Sequence, residues 1–142
     1  MRFMVQVRAN SASEAGVLPP KELFEAMAAF NEDLVRAGVL LCAEGLEASS
    51  KGARLEKTGG KLAVIDGPFA ETKELIAGFW LVEMKSLEEA VEWFSRCPCT
   101  EDSGVLEIRQ VAEPTDFPAD LVSPEIVDFE LKLRARHDPR GR

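Results

Sequence analysis

The sequence predicts an α+β fold in which strands and helices follow one another in the order β-α-β-β-α-β. Strand composition recurs in four segments, namely 2–8, 39–43, 78–84 and 105–111. One segment with helical spacing lies between the first two strands, and another lies between the last two. This order is the split βαβ pattern of ferredoxin-like domains, in which both helices cover the same face of one sheet.

Apolar spacing and end residues define the two predicted helices. The first begins at Pro19-Pro20, which suits a first helical turn, and Gly38 is placed to end it. Its apolar side is formed by Leu23, Met27, Phe30 and Leu34. The second helix has the capping-box spacing, with Ser86 as the N-cap and Glu89 three residues later, and it is expected to continue until Pro98.

Two segments between these elements are predicted to lie outside the main sheet. Residues 9–18 are small and polar, which indicates a loop. Residues 54–57 and 61–65 flank Thr58-Gly59-Gly60, a combination that predicts an inserted hairpin with a short glycine turn.

The C-terminal part is predicted to be an appendage to the domain. Pro114 and Pro118 mark a linker, so we expect residues 1–113 to form the domain and 114–142 to form a linker, a helix and a basic tail. Ser123-Pro124 begins that helix. It is expected to pack on the domain or on a partner through Ile126, Phe129 and Leu133. The basic tail is expected to be solvated.

The strands at 39–43 and 78–84 lead to a prediction about assembly. Residues 39–43 and 79–82 are apolar at consecutive positions, so both faces of the sheet need to be covered. Helices cover one face, and the same face of a second copy is expected to cover the other. The sequence therefore predicts a two-fold homodimer.

Composition narrows the functional class. A chain of 142 residues fits one domain, and its net charge of −8 argues against a nucleic-acid binder. No apolar run approaches the length of a membrane-spanning helix.

Three cysteines, an odd number, favour a reducing cytoplasmic location without a disulfide framework. Cys97-Pro98-Cys99 lacks further metal ligands at a suitable spacing, and no glycine-rich phosphate loop occurs, so neither a metal nor a cofactor is expected.

The most distinctive stretch is Asp66-Gly67-Pro68-Phe69-Ala70-Glu71-Thr72-Lys73-Glu74. Its glycine and proline require a bend after the hairpin, and its charged residues follow at once. One interpretation is a turn with solvated charges, and the other is a binding or catalytic loop. Asp66 and Glu71 are weak candidates for an acid–base pair, which would need burial or mutual repulsion to raise one pKa. Lys73 more simply neutralises the cluster.

Strand alternation also places polar side chains on one face of the predicted sheet. Because the last strand lies beside the first in this fold, Glu107 and Arg109 are expected on the same face as Gln6. Glu83 joins them, and Glu44 lies near the rim. We expect a ligand pocket between this face and the Asp66–Glu74 loop. The candidate ligand-binding residues are therefore Gln6, Glu44 and Arg109 of the sheet, with Asp66 and Lys73 of the loop. Arg109 could grip a carboxylate or phosphate with two hydrogen bonds. The alternative is an ion pair of Arg109 with Glu107 or Glu83.

The stretch Asp-Gly-Pro-Phe followed by Ala-Glu-Thr-Lys-Glu resembles the motif of DGPF proteins, a branch of the YCII-related family. The similarity extends over roughly residues 1–115, including Ala77-Gly78-Phe79-Trp80 and Glu107-Ile108-Arg109-Gln110. It implies ferredoxin-like subunits that pair as a dimeric α/β barrel.

The resemblance implies a fold rather than one reaction. Founding members of the family carry a His and an Asp in a cleft, whereas the single histidine here is His137, in the basic tail. DGPF proteins are often encoded beside extracytoplasmic-function sigma factors, so the resemblance also implies such a partner. Three hypotheses remain open: a small-molecule-binding dimer, with or without an enzymatic activity, an accessory protein that binds another protein, and a purely structural motif.

Overall fold

The computed structural model describes residues 1–141, and for residues 101–103 it describes the backbone only. The strands are β1 (Arg2–Arg8), β2 (Leu40–Gly45), β3 (Ala53–Thr58), β4 (Lys61–Asp66), β5 (Ile76–Glu83) and β6 (Leu106–Gln110). The α-helices are α1 (Ser11–Glu14), α2 (Lys21–Arg36), α3 (Leu87–Phe94) and α4 (Pro124–His137).

The main sheet is antiparallel, with four strands in the order β2-β5-β1-β6. Setting the β3–β4 hairpin aside, this is the strand order of a ferredoxin-like domain, with the first strand in the centre beside the third and the fourth. The predicted α+β fold, the inserted hairpin and the C-terminal helix are confirmed. The pairing of two copies as a barrel stays a prediction.

The core lies between the sheet and the two helices α2 and α3. Phe3 and Val5 of β1 are fully buried, as their alternation predicts. Phe30 of α2, Trp80 of β5 and Phe94 of α3 form an edge-to-face cluster with ring centroids 5.3 to 6.3 Å apart. We call the face that these helices cover the inner face and the opposite one the outer face.

Helix ends follow the sequence closely, with two differences. Gly38 has a φ of 69° after α2, and the Ser86 side chain accepts a hydrogen bond from the Glu89 backbone N–H. However, α3 ends at Phe94 rather than just before Pro98, which instead begins a 3₁₀ helix. The predicted loop at 9–18 contains α1, a single turn closed by a capping box whose N-cap is Asn10.

The β3–β4 hairpin stands apart from the main sheet. Gly59 and Gly60 form its two-residue turn with φ values of 57° and 80°, which glycine adopts without strain. Every residue of both strands is exposed. An isolated two-stranded hairpin is marginally stable in water, and this one also exposes its apolar side chains.

The bend after the hairpin is held by backbone contacts with residues 49–52. The Gly67 N–H donates to the Gly52 carbonyl at 3.0 Å, and the Phe69 N–H donates to Ser49 Oγ at 3.0 Å. Ser49 in turn donates its backbone N–H, at 3.1 Å, and its hydroxyl to the Glu14 carboxylate. The Arg54 guanidinium lies 4.1 Å from the centre of the Phe69 ring. The Gly67–Pro68 peptide bond is cis.

The C-terminal segment is docked on the domain by charge rather than by the predicted apolar stripe. Ile126, Phe129 and Leu133 are 50%, 63% and 38% exposed, so that stripe does not pack on its own chain. Instead Arg134 pairs with Glu113, which also receives Arg2 Nε at 2.8 Å, and Arg140 pairs with Glu83 at 2.6 Å. The expectation of a solvated basic tail is therefore wrong for Arg134 and Arg140, which pair with Glu113 and Glu83, whereas Lys132 and Arg136 are exposed.

Gly67→Ala should lower the free energy of unfolding, because a Cβ at this position would lie 1.7 Å from the Ser49 carbonyl oxygen, which belongs to the backbone. We expect a loss of about 1–3 kcal/mol in urea titrations, typical of a forced local shift. Gly45→Ala is the matched control, since nothing lies within 4 Å of its added Cβ. Equal stability of the two variants would contradict close packing at the bend.

Truncation after Pro114 should leave a folded domain, because the six core elements all precede it. The loss of the Arg134 and Arg140 ion pairs should cost about 0.5–2 kcal/mol in total, since partly exposed pairs contribute little each. Thermal melts of the truncated and full chains measure this difference. A truncated chain without a cooperative melt would show that the boundary at 113 is misplaced.

Candidate functional site

The outer face carries side chains that are in register across all four strands of the main sheet. One row consists of Glu44, Phe79, Gln6 and Glu107, which are direct neighbours on β2, β5, β1 and β6. The next row consists of Cys42, Leu81, Met4 and Arg109. Of the apolar members, Phe79, Leu81 and Met4 are only partly buried. The face thus has an apolar centre with charged groups at its two edges.

The Asp66–Glu74 loop reaches one end of this face through its second half. Arg8, beyond Gln6 on β1, donates from Nη1 to the Lys73 carbonyl at 3.0 Å and pairs with Glu107. The Ala9 N–H donates to the Leu75 carbonyl at 3.0 Å. These contacts fix the loop beside the row that contains Gln6 and Glu107.

Arg109 is the exposed cation of the outer face, and it makes no ion pair with any residue that the structure describes. The alternative in which Arg109 pairs with Glu107 or Glu83 is wrong, because Glu107 pairs with Arg8 and Glu83 pairs with Arg140. The Arg109 guanidinium is therefore available to an incoming group.

A cavity of about 650 Å³ lies at the other end of the outer face, under the C-terminal segment. Leu41, Cys42 and Leu81 form its floor, and Leu131 and Ala135 of α4 form part of its wall. His137 also lines it, so the single histidine lies beside the sheet and not in a distant tail. The volume is in the range of small-molecule sites.

Paired charges surround this outer cavity. Partial burial raises the pKa of Glu113, but the guanidinium groups of Arg2 and Arg134 outweigh it and hold that pKa below its ordinary value. The pKa of Arg140 is raised, mainly because its guanidinium donates to Asp138 and also pairs with Glu83. Both shifts stabilise the charged forms, as expected for groups held in ion pairs.

A smaller cavity of about 220 Å³ opens on the inner side of the sheet, between α2 and the ends of β2 and β5. Met27 and Asn31 line it from the helix, and Asn31 Oδ1 accepts a hydrogen bond of 2.8 Å from Trp80 Nε1. Glu44 and Gly45 line it from the strand.

The predicted site residues fall into two groups. Gln6, Glu44 and Arg109 share the outer face, and the Lys73 carbonyl adjoins it through Arg8. Asp66 lies at the end of the hairpin opposite Ala53, exposed, and its carboxylate accepts no hydrogen bond from any described residue. Neither Asp66 nor Lys73 lines either of the two cavities.

The C-terminal contribution to the site was missed from sequence. Arg134 and His137 belong to a segment whose pattern predicts only a helix, and Arg140 follows it. Glu113 and Glu83, the acidic partners of the two arginines, lie far away along the chain. The available signal was charge: a basic cluster at 132–142 in a chain whose net charge is −8.

The structure shows neither a metal cluster nor a membrane span in the residues it describes. No group of three or more His, Cys, Asp or Glu side chains among them is arranged to hold a metal ion. Within the same residues, every helix is too short or too polar to cross a bilayer.

Comparisons with known proteins agree on the family. The family model for the YCII-related domain matches residues 1–115. A curated relative, "Uncharacterized protein R00369" of Rhizobium meliloti (strain 1021), is 35% identical over 97 residues, which cover 66% of this chain and 77% of the relative.

A solved structure, the 5-chloro-2-hydroxyhydroquinone dehydrochlorinase TftG of Burkholderia phenoliruptrix AC1100 in complex with 2,5-dihydroxybenzoquinone, is 16% identical to this chain. The match covers 78% of this chain and 94% of that one, with a TM-score of 0.42. This likeness is too low to carry an argument about a reaction. The family match extends over most of the chain, and the protein belongs to the YCII-related family.

Proposed function

We propose that the protein is a small-molecule-binding homodimer whose ligand lies on the outer face of the sheet. The ligand would sit between the C-terminal segment at one end and the Asp66–Glu74 loop at the other, with a second copy closing the site. The observation that carries this proposal is the partly buried apolar centre of the outer face, flanked by an arginine that makes no ion pair within the described chain.

Apolar surface supports the homodimer. Phe79, Leu81 and Met4 face away from both core helices and are partly buried, and the stripe of α4 is more exposed still. Exposed patches of this kind are rare on monomers and gain free energy when they are removed from water. Two outer faces related by a two-fold axis, with α4 of each copy against the other, would cover both.

The charges of the outer face favour an anionic ligand with an apolar body. Arg109 presents a planar fork that matches a carboxylate or phosphate. Its neighbours across the sheet, Met4 and Leu81, would contact the apolar part. Gln6 adds an amide for orientation, and Glu44 at the opposite edge disfavours a second anionic group there.

Binding is proposed without a reaction. Asp66 and Glu71, the candidate acid–base residues, are both exposed. Neither lines a cavity, so a catalytic pair there would need a rearrangement or a partner's residues. Three free thiols favour a reducing, cytoplasmic location.

An accessory role, with an extracytoplasmic-function sigma factor as the partner, is the second candidate. The observation that favours it is the hairpin, on which Leu55, Leu62 and Val64 share one side and are 69%, 62% and 62% exposed. This patch is separate from the outer face, so variants can distinguish a protein-binding surface from the proposed dimer seam.

Leu81→Asp should convert the dimer into a monomer, because it places a charge in the centre of the outer face. The dimer should bury well over about 1,000 Å² in total, enough for a stable assembly. Sedimentation velocity at micromolar concentration measures the change. Leu87→Asp, on the surface of α3 and 46% exposed, is the matched control and should stay dimeric. A monomeric parent protein would contradict the assembly.

Arg109→Gln should abolish binding of benzoate or phenyl phosphate, probes that combine an aromatic body with an anionic group. Lys73→Ala should weaken binding if the loop contributes its side chain. Asp66→Ala is a surface substitution, so it should change the free energy of unfolding by under about 1 kcal/mol. Arg36→Gln, on α2 and paired with Glu32, is the control. NMR titration of the four variants is the measurement, and unchanged affinity in Arg109→Gln would place the ligand elsewhere.

A further inference from the structure

The thiols of Cys97 and Cys99 form a compact pair at the edge of the core. Their Sγ atoms are 2.9 Å apart, which is hydrogen-bond distance and closer than two unbonded sulfurs normally approach. Both cysteines are reduced, as is Cys42. The outer-face site does not involve this pair, which lies at the junction between α3 and the 3₁₀ helix that follows it.

The backbone holds the two sulfurs together. The Cys97 carbonyl accepts the Thr100 N–H at 3.1 Å and the Thr100 hydroxyl at 2.8 Å, which closes the turn around Pro98. The Cys97 N–H donates to the Phe94 carbonyl at 3.1 Å, so the turn is attached to the end of α3. The pair is therefore pre-organised, and little rotation would bring the sulfurs to bonding distance.

Burial differs between the two thiols in a way that suits stepwise oxidation. Cys97 is 1% exposed and belongs to the hydrophobic core. Cys99 is partly buried, which makes it the more accessible residue of the pair. Reversible thiol oxidation often pairs an accessible cysteine with a second, resolving cysteine nearby.

We propose that Cys97 and Cys99 are a modification site at which hydrogen peroxide forms a reversible intramolecular disulfide. This proposal is independent of the ligand site and of the homodimer. The two residues are separated by Pro98 alone, so the disulfide closes a small ring and leaves the sheet unchanged.

The hydrogen bond between the sulfurs supplies the reactive thiolate. It lowers the pKa of Cys97, against the opposing effect of burial, and raises the pKa of Cys99, so the pair shares one proton after the first ionisation. The ionised Cys97 sulfur, 2.9 Å away, accepts the Cys99 proton as the Cys99 sulfur attacks the oxidant, so Cys97 acts as the base in the first step.

The oxidation balances in two steps. The Cys99 thiolate attacks one peroxide oxygen, so that an S–O bond forms, the O–O bond breaks, and the departing hydroxide takes a proton to become water. The Cys97 sulfur, losing its proton, then attacks the Cys99 sulfur, so that the S–S bond forms and the S–O bond breaks, releasing a second water. Two thiols are oxidised and one peroxide is reduced, and a dithiol reductant such as dithiothreitol reverses the change.

The test is peroxide titration of the full-length reduced protein, followed by alkylation of the remaining thiols in denaturant and mass spectrometry. We expect the Cys97 and Cys99 thiols to be lost together, at least about tenfold faster than the Cys42 thiol, because a thiolate within the pair is the reactive form. The oxidised chain should be lighter by two hydrogens, with both residues in one cross-linked peptide, and dithiothreitol should restore all three thiols.

Variants separate this site from general oxidation. Cys99→Ala should abolish the rapid intramolecular disulfide, whereas Cys42→Ala should leave its rate unchanged. Cys97 is a core residue, so Cys97→Ala removes buried contacts and can prevent folding. Cys99→Ala is therefore the decisive variant. The proposal is overturned if Cys42 reacts as fast as the pair, if only disulfides between chains form, or if the pair yields sulfinic acid without a disulfide.

Discussion

The packing of α2 and α3 on a single face of the four-stranded sheet is the interaction on which the rest of the structure depends. It buries Phe3, Val5 and the Phe30–Trp80–Phe94 cluster, and it leaves the opposite face to be covered in part by α4 alone. The proposed ligand site is on that second face and at its ends. The asymmetry follows from the β-α-β-β-α-β order, since both crossovers place their helices on the same side.

The outer face is closed in from two directions by parts of the chain that are not in the core. At one end Arg8 binds the Lys73 carbonyl and so fixes the Asp66–Glu74 loop. At the other end Arg140 binds Glu83 and docks the C-terminal segment over a cavity. The bend at Gly67 contributes mainly shape, because its contacts with Ser49 and Gly52 are made by backbone and hydroxyl groups. The Asp66–Glu74 stretch, the most distinctive part of the sequence, thus forms one border of the proposed site, and residues of the strands form its floor.

Local patterns predicted the parts of the fold that depend on local physics. The alternation of Phe3, Val5 and Val7, the capping residue Ser86 and the left-handed Gly38 all act within a few residues. The register that aligns Gln6 with Glu107 followed from strand order and alternation together. The docking of Arg134 and Arg140 could not be predicted in this way, because their partners lie far away in sequence. Helix α1 was missed because four residues give no periodicity to detect.

Isotope-filtered NMR of a mixed sample tests the central claim most directly, with methyl-labelled and unlabelled chains combined so that only contacts between chains appear. The account predicts intermolecular contacts from the methyl groups of Leu81 and Met4 on the outer face, and from Leu133 on α4. Intermolecular contacts confined to Leu55, Leu62 and Val64 of the hairpin would contradict it, as would their complete absence. In either case the outer face would be open to solvent and the proposed enclosed site would not exist.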